Sequence, residues 1–459
     1  MEIVHPANIR LEQFEIQNLF NQFSYTIPLR LEEHVTAIIA PNGTGKTLCL
    51  RLIEALFSRR WSAFLSVQFE KAIYTFSDGS TVQVRKKVNK EGKGFKEEVT
   101  LQIKLPRAKA FHWEPGLLPN KVAYTHFERF LPFLTRIGAE RWRHDHTGEI
   151  LTATDLLDTY ADHLPPEVSK NFYDPMPAEL QTLIGAIDCR LIETQRLLIL
   201  PEVSSEAWRG TRKTSTLAIT RKAEKLKEII SGEINAYAAL SQTLDRSFPR
   251  RVISRAQEIS PQGLTDRLDN LDKKREELMA AGILNTGYDD GPVQLPEGPL
   301  TQEIASVLQV YAEDTARKLG SLSPLLAKIT LFKALIGKRF LTKEVQVNRD
   351  KGFEVVTKDR EVPLEKLSSG EQHQLVLFFE MLFEIKSNSL ILIDEPELSL
   401  HIAWQRQFIG DLLKIIKLNR FDVVLATHSP QLIGEWDDLV VELGDVDPDY
   451  APDESEELA

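Results

Sequence analysis

Val35-Thr36-Ala37-Ile38-Ile39-Ala40-Pro41-Asn42-Gly43-Thr44-Gly45-Lys46-Thr47 is the stretch from which the rest of the chain can be read. Val35–Ile39 is an apolar, β-branched run that predicts a strand. Leu48, Leu50, Leu52, Ile53, Leu56 and Phe57 give Thr47–Phe57 the apolar face of a helix. Strand, glycine-rich turn, helix is the setting that a phosphate-binding loop requires. Asn42, Gly43, Thr44 and Gly45 make the turn, and the two glycines let successive N–H groups face one oxyanion. The helix N-terminus adds its partial positive charge there. Lys46 is placed to reach the β- and γ-phosphates, and Thr47 to offer its hydroxyl to Mg²⁺. Ala40 stands where the usual pattern has its first glycine, a position that needs a small residue more than a left-handed one.

Working outward, Arg10–Ile16 and Tyr25–Leu29 alternate as strands, and Ala72–Phe76 and Thr81–Val88 flank a Ser-Asp-Gly-Ser turn as a hairpin that Val99–Leu105 extends. Lys121 to Leu183 reads as mostly helical, punctuated by prolines, and Arg190–Thr194 as a strand. A helical insert follows. Leu226, Ile230, Ile234, Tyr237 and Leu244 form one stripe, and Leu264, Leu268, Leu271 and Leu278 another, with Arg275 in the seam. The break at Phe248-Pro249 predicts a short antiparallel coiled-coil hairpin. Helix resumes from Thr301 to Ile336, and strands near Lys343–Asn348 and Phe353–Thr357 return the chain to a sheet. The resulting division is 1–110, 111–200, 201–340, 341–445 and an acidic tail at 446–459.

Three further segments carry chemistry. Ser389-Leu390-Ile391-Leu392-Ile393-Asp394-Glu395 is a buried strand ending in two carboxylates. At such a strand end Asp394 holds Mg²⁺ through water, and Glu395 polarises the water that attacks a γ-phosphorus. Leu367-Ser368-Ser369-Gly370-Glu371-Gln372 opens a helix. Ser368 and Glu371 have capping-box spacing, which alone explains the segment; read functionally, Ser369 and Gly370 present a second anion site. Leu425-Ala426-Thr427-His428-Ser429-Pro430 ends another strand in a histidine set to contact a γ-phosphate.

Composition narrows the class. Net charge is −11 over 459 residues, with 42% hydrophobic and 27% charged residues, the balance of a globular protein with a large core. No apolar run approaches the ~20 residues that span a bilayer, and the first residues lack a signal-peptide layout. Two cysteines, Cys49 and Cys189, leave no disulfide framework or cysteine-rich zinc site, and a reducing cytoplasm fits best. From Arg209 to Arg255 eleven bases face four acids, whereas Asp445–Glu457 holds seven acids and no base. The basic run reads equally as a surface for nucleic acid or a partner and as a solvated helix face. His144-Asp145-His146 reads as surface residues rather than as a metal site.

The phosphate loop, Leu-Ser-Ser-Gly-Glu-Gln, Asp-Glu-Pro-Glu-Leu-Ser-Leu-His and Thr-His-Ser-Pro, in that order, resemble the ABC-type ATPase heads of the SMC, Rad50, RecF and OLD group. The resemblance implies an α/β fold, a mixed sheet with flanking helices forming a P-loop NTPase head that a largely helical insert interrupts. It implies ATP and Mg²⁺ as ligands, Lys46 and Thr47 as Walker A, Ser369 and Gly370 as the signature, Asp394 and Glu395 as Walker B, Glu397–His401 as the D-loop and His428 as the switch histidine. Gln195 falls where such heads carry a Mg²⁺-sensing glutamine; the neighbouring Arg196 also reads as a salt-bridged structural residue. In such heads the signature of one copy covers the ATP of another, so the expected minimum unit is a homodimer.

Lys46 and Gly370 lie 324 positions apart, more than a compact transporter head uses. The arms are short for an SMC or Rad50 protein. Ile192–Leu197 and Leu240–Pro249 make the chain most similar to stand-alone ATPases of prokaryotic antiviral operons, of the Septu and PARIS kind. That likeness implies a separately encoded effector nuclease as partner and no nuclease site in this chain. A RecF- or Rad50-like DNA-repair ATPase, with the basic insert on DNA, is the alternative.

Overall fold

The computed structural model describes residues 9–41, 43–91, 94–115, 131, 133–138, 141–145, 148, 150–152, 156, 160, 175–192, 218–254, 261–285, 301–340, 342–358, 360–400 and 402–443. They fall into two compact units, one of 9–192 with 386–443, the other of 218–385.

In the first unit, the strands predicted at Val35–Ile39, Arg190–Thr194, before Asp394 and before His428 join an unpredicted one, Val440–Glu442, in a five-stranded parallel sheet. Its order is Cys189–Ile192, Leu390–Asp394, Asp422–Thr427, Val35–Ile39, Val440–Glu442. Val35, Ala37, Ile38 and Ile391–Ile393 are all but sealed from solvent, as expected of parallel strands covered on both faces. Helix Lys46–Ser58 turns Cys49, Leu50, Leu52, Ile53, Ala55 and Leu56 onto this core, and each leucine or isoleucine buried there is worth ~1.5–3 kcal/mol. Strand ends and helix start therefore meet at one edge of the sheet.

The second sheet is antiparallel and six-stranded, in the order Phe23–Pro28, Leu11–Leu19, Lys71–Phe76, Thr81–Glu91, Gly94–Lys104, Phe111–Trp113. Leu11, Phe14, Ile16 and Leu19 face its core. Their spacing departs from strict alternation because the register slips between Leu11 and Gln13 and again between Ile16 and Leu19.

The expectation of helix from Lys121 to Leu183 fails over the described residues from 131 to 152. Leu134–Arg136, Arg141–His144 and Ile150–Thr152 pair as a three-stranded antiparallel sheet around the buried Trp142. Strands of three or four residues are too short to show a period of two, and prolines around them mimic helix ends. Leu156, Tyr160 and the helix Ala178–Gly185 are helical as expected.

In the second unit, helix Ala218–Ile253 runs straight through Pro249, so the predicted break does not occur. Proline leaves a carbonyl one turn back without its donor. Here Arg251 reaches back to the neighbouring Leu244 O (2.8 Å) while its guanidinium grips Asp314. The predicted hairpin partner also differs. Helices Ala218–Ile253 and Pro261–Ala280 each pack on a third helix, Gln302–Ser321, and Lys318 Nζ donates to Asp245 at 2.7 Å. Leu264, Leu268, Leu271 and Leu278 are buried, as the stripe predicts, but against a helix whose place in space no periodicity encodes.

Helix Ser323–Gly337 follows, then the antiparallel strands Glu344–Asn348, Gly352–Thr357 and Arg360–Val362. Helix Ser369–Phe379 comes next and ends in a π-turn, Glu380–Glu384, whose first and last carboxylates Lys222 bridges at 2.8 and 2.7 Å. Among the described residues no single helix is long and apolar enough to cross a membrane.

Gln374 lies on helix Ser369–Phe379 with no exposed surface, and both its amide oxygen and nitrogen are buried without hydrogen-bond partners. Such groups cost about 1–3 kcal/mol each. Gln374→Leu is therefore expected to stabilise the protein by at least about 1 kcal/mol, a rise in Tm of roughly 2–4 °C. Thermal unfolding of the full chain measures this, and an unchanged or lower Tm refutes the burial argument.

Candidate active site

The parallel sheet brings three strand ends together. Val35–Ile39 runs into the phosphate loop, Leu390–Asp394 into Glu395, and Asp422–Thr427 into His428. Gly43 and Gly45 take φ +83° and +93°, and a Cβ on Gly45 would lie 2.6 Å from Leu19 Cδ2. Only glycine combines that conformation with that approach. Thr44 closes the turn by donating its hydroxyl to Pro41 O (2.8 Å), and Tyr25 donates its own to Thr44 O (2.9 Å). Burial pushes the Tyr25 phenol up to about 12, so it remains a donor.

Lys46 is buried, and its Nζ donates to Ala40 O at 2.6 Å and Pro41 O at 3.0 Å and lies 3.2 Å from His428 Nδ1. Burial pulls its pKa down, while the charges of Glu395, Asp394 and Glu397 work against that shift. An ammonium only donates, so His428 Nδ1 accepts, and the ring proton sits on Nε2, 3.5 Å from Glu395 Oε1. Thr47 Oγ1 donates to Asp394 Oδ1 at 3.1 Å.

Glu395 itself takes a left-handed conformation, φ +46° and ψ +56°, and its N–H donates to Ala426 O at 2.9 Å. About a third of its side chain is exposed, so water reaches it. The fold thus gathers one ammonium, a hydroxyl, two carboxylates and an imidazole from segments 347 and 382 residues apart in sequence.

Thr47 and Asp394 form a hard-oxygen pair that fits Mg²⁺, which prefers oxygen ligands and usually completes its shell with water and substrate phosphates. No group of three or more His, Cys, Asp or Glu residues suited to a metal occurs among the described residues. Two protein oxygens match a cation held jointly with a nucleotide. At His144-Asp145 the imidazole packs on Phe133 and Tyr160, and the carboxylate accepts from Thr135.

Ser369 and Gly370 belong to the second unit, at the start of helix Ser369–Phe379. The capping box is complete: Ser368 Oγ accepts from Glu371 N (3.3 Å), and Glu371 Oε2 accepts from Ser368 N (2.9 Å). Burial pushes the Glu371 carboxyl up, but the two-pronged contact with Lys343 (2.7 and 2.8 Å) and the Ser368 bonds hold it below its usual range. A capping box satisfies the cap and third-position N–H groups and leaves those of the first two helical residues, Ser369 and Gly370, to other acceptors. Asn42, Gln195, Arg196, His146 and His401 lie outside the described residues.

Three contributors escape a reading of sequence. Tyr25 and Gln405 carry no motif signal, because their partners are distant in the chain. Glu397 stands in the Asp-Glu-Pro-Glu stretch, yet its contact to the His428 N–H (2.7 Å) depends on the paired strands.

A glycine-rich turn between a parallel strand and a helix, facing a strand that ends in carboxylates, defines a P-loop nucleotide-binding domain. Residues 238–434 match the family model described as AAA domain, putative AbiEii toxin, Type IV TA system. No curated protein matches the chain. Among solved structures, the chain is similar to an Smc head domain with an extended coiled coil, bound to the C-terminal domain of ScpA, from Pyrococcus furiosus. That pair is 12% identical with a TM-score of 0.33, covering 95% of this chain and 93% of the other. The SMC head domain from Thermotoga maritima is 12% identical with a TM-score of 0.30, covering 92% and 91%.

Proposed function

We propose that the protein is an ABC-type ATPase of the cytoplasm that clasps ATP between two copies of itself. In this reading the clasped assembly is the sensor and scaffold that controls a separately encoded effector nuclease in antiviral defence. The observation that carries the ATPase reading is the convergence of Lys46, Thr47, Asp394, Glu395 and His428 at one sheet edge, linked by contacts of 3.1–3.5 Å.

Lys46 leaves the Ala40 and Pro41 carbonyls to bind phosphate oxygens, and the loop N–H groups cradle the same charge. Thr47 and Asp394 would hold Mg²⁺, which would supply positive charge to neutralise the phosphates. Glu395 takes a proton from the attacking water, and His428 turns from Lys46 towards the γ-phosphate. One chain holds one phosphate loop and one Ser369-Gly370 segment, which supports a site shared between copies. Loss of the γ-phosphate then loosens the pair. The toxin system named in the matched family model supports a defence role.

The DNA-repair alternative rests on the basic run. Within it Lys222 is committed to Glu380 and Glu384, Arg251 to Asp314 and Lys225 to Glu228. Internal pairing of this kind weakens the field available to phosphates, which favours the scaffold reading.

Lys46→Ala is expected to weaken ATP binding by at least about 100-fold, since it removes a charge-assisted contact and the loop's own tether. Titration calorimetry measures the binding, and mass measurement of the chain co-expressed with its neighbouring gene, with and without ATP, measures the assembly. Unchanged affinity refutes the site. DNA binding with a steep salt dependence, and no ATP-dependent oligomer, transfers the weight to the repair reading.

A further inference from the structure

The strand Asp422–Thr427 ends one residue before His428, so the His428 N–H has no partner in the sheet. Glu397 Oε1 accepts it at 2.7 Å. Glu397 rides on the short turn Pro396–Ser399 that follows Glu395, so one peptide segment carries both the carboxylate facing the His428 ring and the carboxylate holding its backbone.

The other oxygen of Glu397, Oε2, is buried without a hydrogen-bond partner. Burying an unpaired carboxylate oxygen is unfavourable, and the nearby Lys46 ammonium, which the Glu397 charge helps to keep protonated, offsets part of that cost. A second tie joins the same two turns. Gln405, on helix Ile402–Asn419, donates Nε2 to Leu400 O (3.1 Å) and Glu397 O (3.4 Å) and accepts from Ser429 Oγ at 2.7 Å.

We propose that Glu397 is the positioning residue that fixes His428 between Lys46 and Glu395, with Gln405 as its support. The inference rests on the ATPase reading above and deepens it. A charged acceptor on the backbone N–H, rather than on the ring, pins the peptide and leaves the imidazole free to change partners. The ring can then turn from Lys46 to a γ-phosphate without moving the loop that bears it. Displacing a reacting group by ~1 Å costs up to about 100-fold in rate, so a loop free to drift makes a poor switch.

Steady-state ATP hydrolysis by the full chain tests the role. Glu397→Ala is expected to lower kcat by about 10- to 100-fold and to leave KM within about threefold, because the contact positions rather than binds. Glu397→Gln keeps an amide oxygen able to accept the same N–H, so kcat should return to within about fivefold of the parent. Gln405→Leu removes the second tie and is expected to lower kcat about fivefold at unchanged KM.

The role is overturned by a Glu397→Ala protein with parental kcat. It is equally overturned if Glu397→Gln is as slow as Glu397→Ala, since charge and not acceptor placement then matters. Should Glu397→Ala fail to fold, the Gln substitution and Gln405→Leu decide the matter by the same criteria. A parent that hydrolyses no ATP overturns the ATPase reading and this role with it, whereas an active parent matched by Glu397→Ala overturns the positioning role alone.

Discussion

Glu395→Gln is expected to slow ATP hydrolysis by about 100- to 1000-fold while leaving ATP affinity within about threefold of the parent. Glu395 is the carboxylate that faces the His428 ring, at 3.5 Å from Nε2. Its neighbour Asp394 is engaged by the Thr47 hydroxyl. The left-handed backbone at Glu395 is unusual for a side chain with a Cβ and costs roughly 1 kcal/mol or more. It turns Glu395 away from the direction in which the strand would have continued.

The amide that Glu395→Gln introduces is isosteric with the carboxylate and cannot take a proton, so chemistry stops while the contacts that bind nucleotide persist. The ATP-bound assembly should accumulate, visible as a larger species in sizing with ATP that is absent with ADP. Single-turnover phosphate release measures the rate and calorimetry the affinity. Parental turnover in Glu395→Gln removes Glu395 as the base.

Gly352→Ala is expected to destabilise the second unit by about 3–5 kcal/mol, a large loss for one added methyl group. Gly352 opens the strand Gly352–Thr357 at φ +79°, where the hairpin backbone lies against the helix Ala218–Ile253. A Cβ there would collide with the carbonyl of Ala223 and lie 3.0 Å from Lys227 N. Both obstacles are backbone atoms of a helix, so neither yields by a rotamer change.

Gly232→Ala is the control. Gly232 sits in the same helix with nothing within 4 Å of the added carbon, and the substitution should stabilise by about 0.5–1 kcal/mol. Urea denaturation of the full chain reads both. Equal midpoints for Gly352→Ala and the parent would mean that the hairpin does not press on the helix.

Much of the site was legible because its residue types are bound to local geometry. The phosphate loop needs glycine at left-handed positions, and its lysine and threonine follow at fixed offsets, so a single segment gives the expected role of each residue. The strand ending at Asp394 and the capping box at Ser368 are local in the same sense. The parts that escape such a reading are those in which distant segments decide the outcome. Trp142 draws three short strands around itself, and each is too brief to announce a period. Pro249 would end an isolated helix, but this one continues to Ile253 while Arg251 pairs with Asp314 of the helix it packs on.

Sequence by itself determined that the chain carries a phosphate loop, a strand tipped with carboxylates and a helix with a capping box, because each is a short-range pattern enforced by backbone sterics. Only the tertiary structure decided that Glu397 holds the His428 peptide, that Gln405 ties the same two turns, and that Gln302–Ser321 rather than a neighbouring arm receives the two leucine-striped helices. Such pairings depend on where parallel strands end and which helices pack side by side, and that information resides in the packing of the whole core rather than in any window of residues.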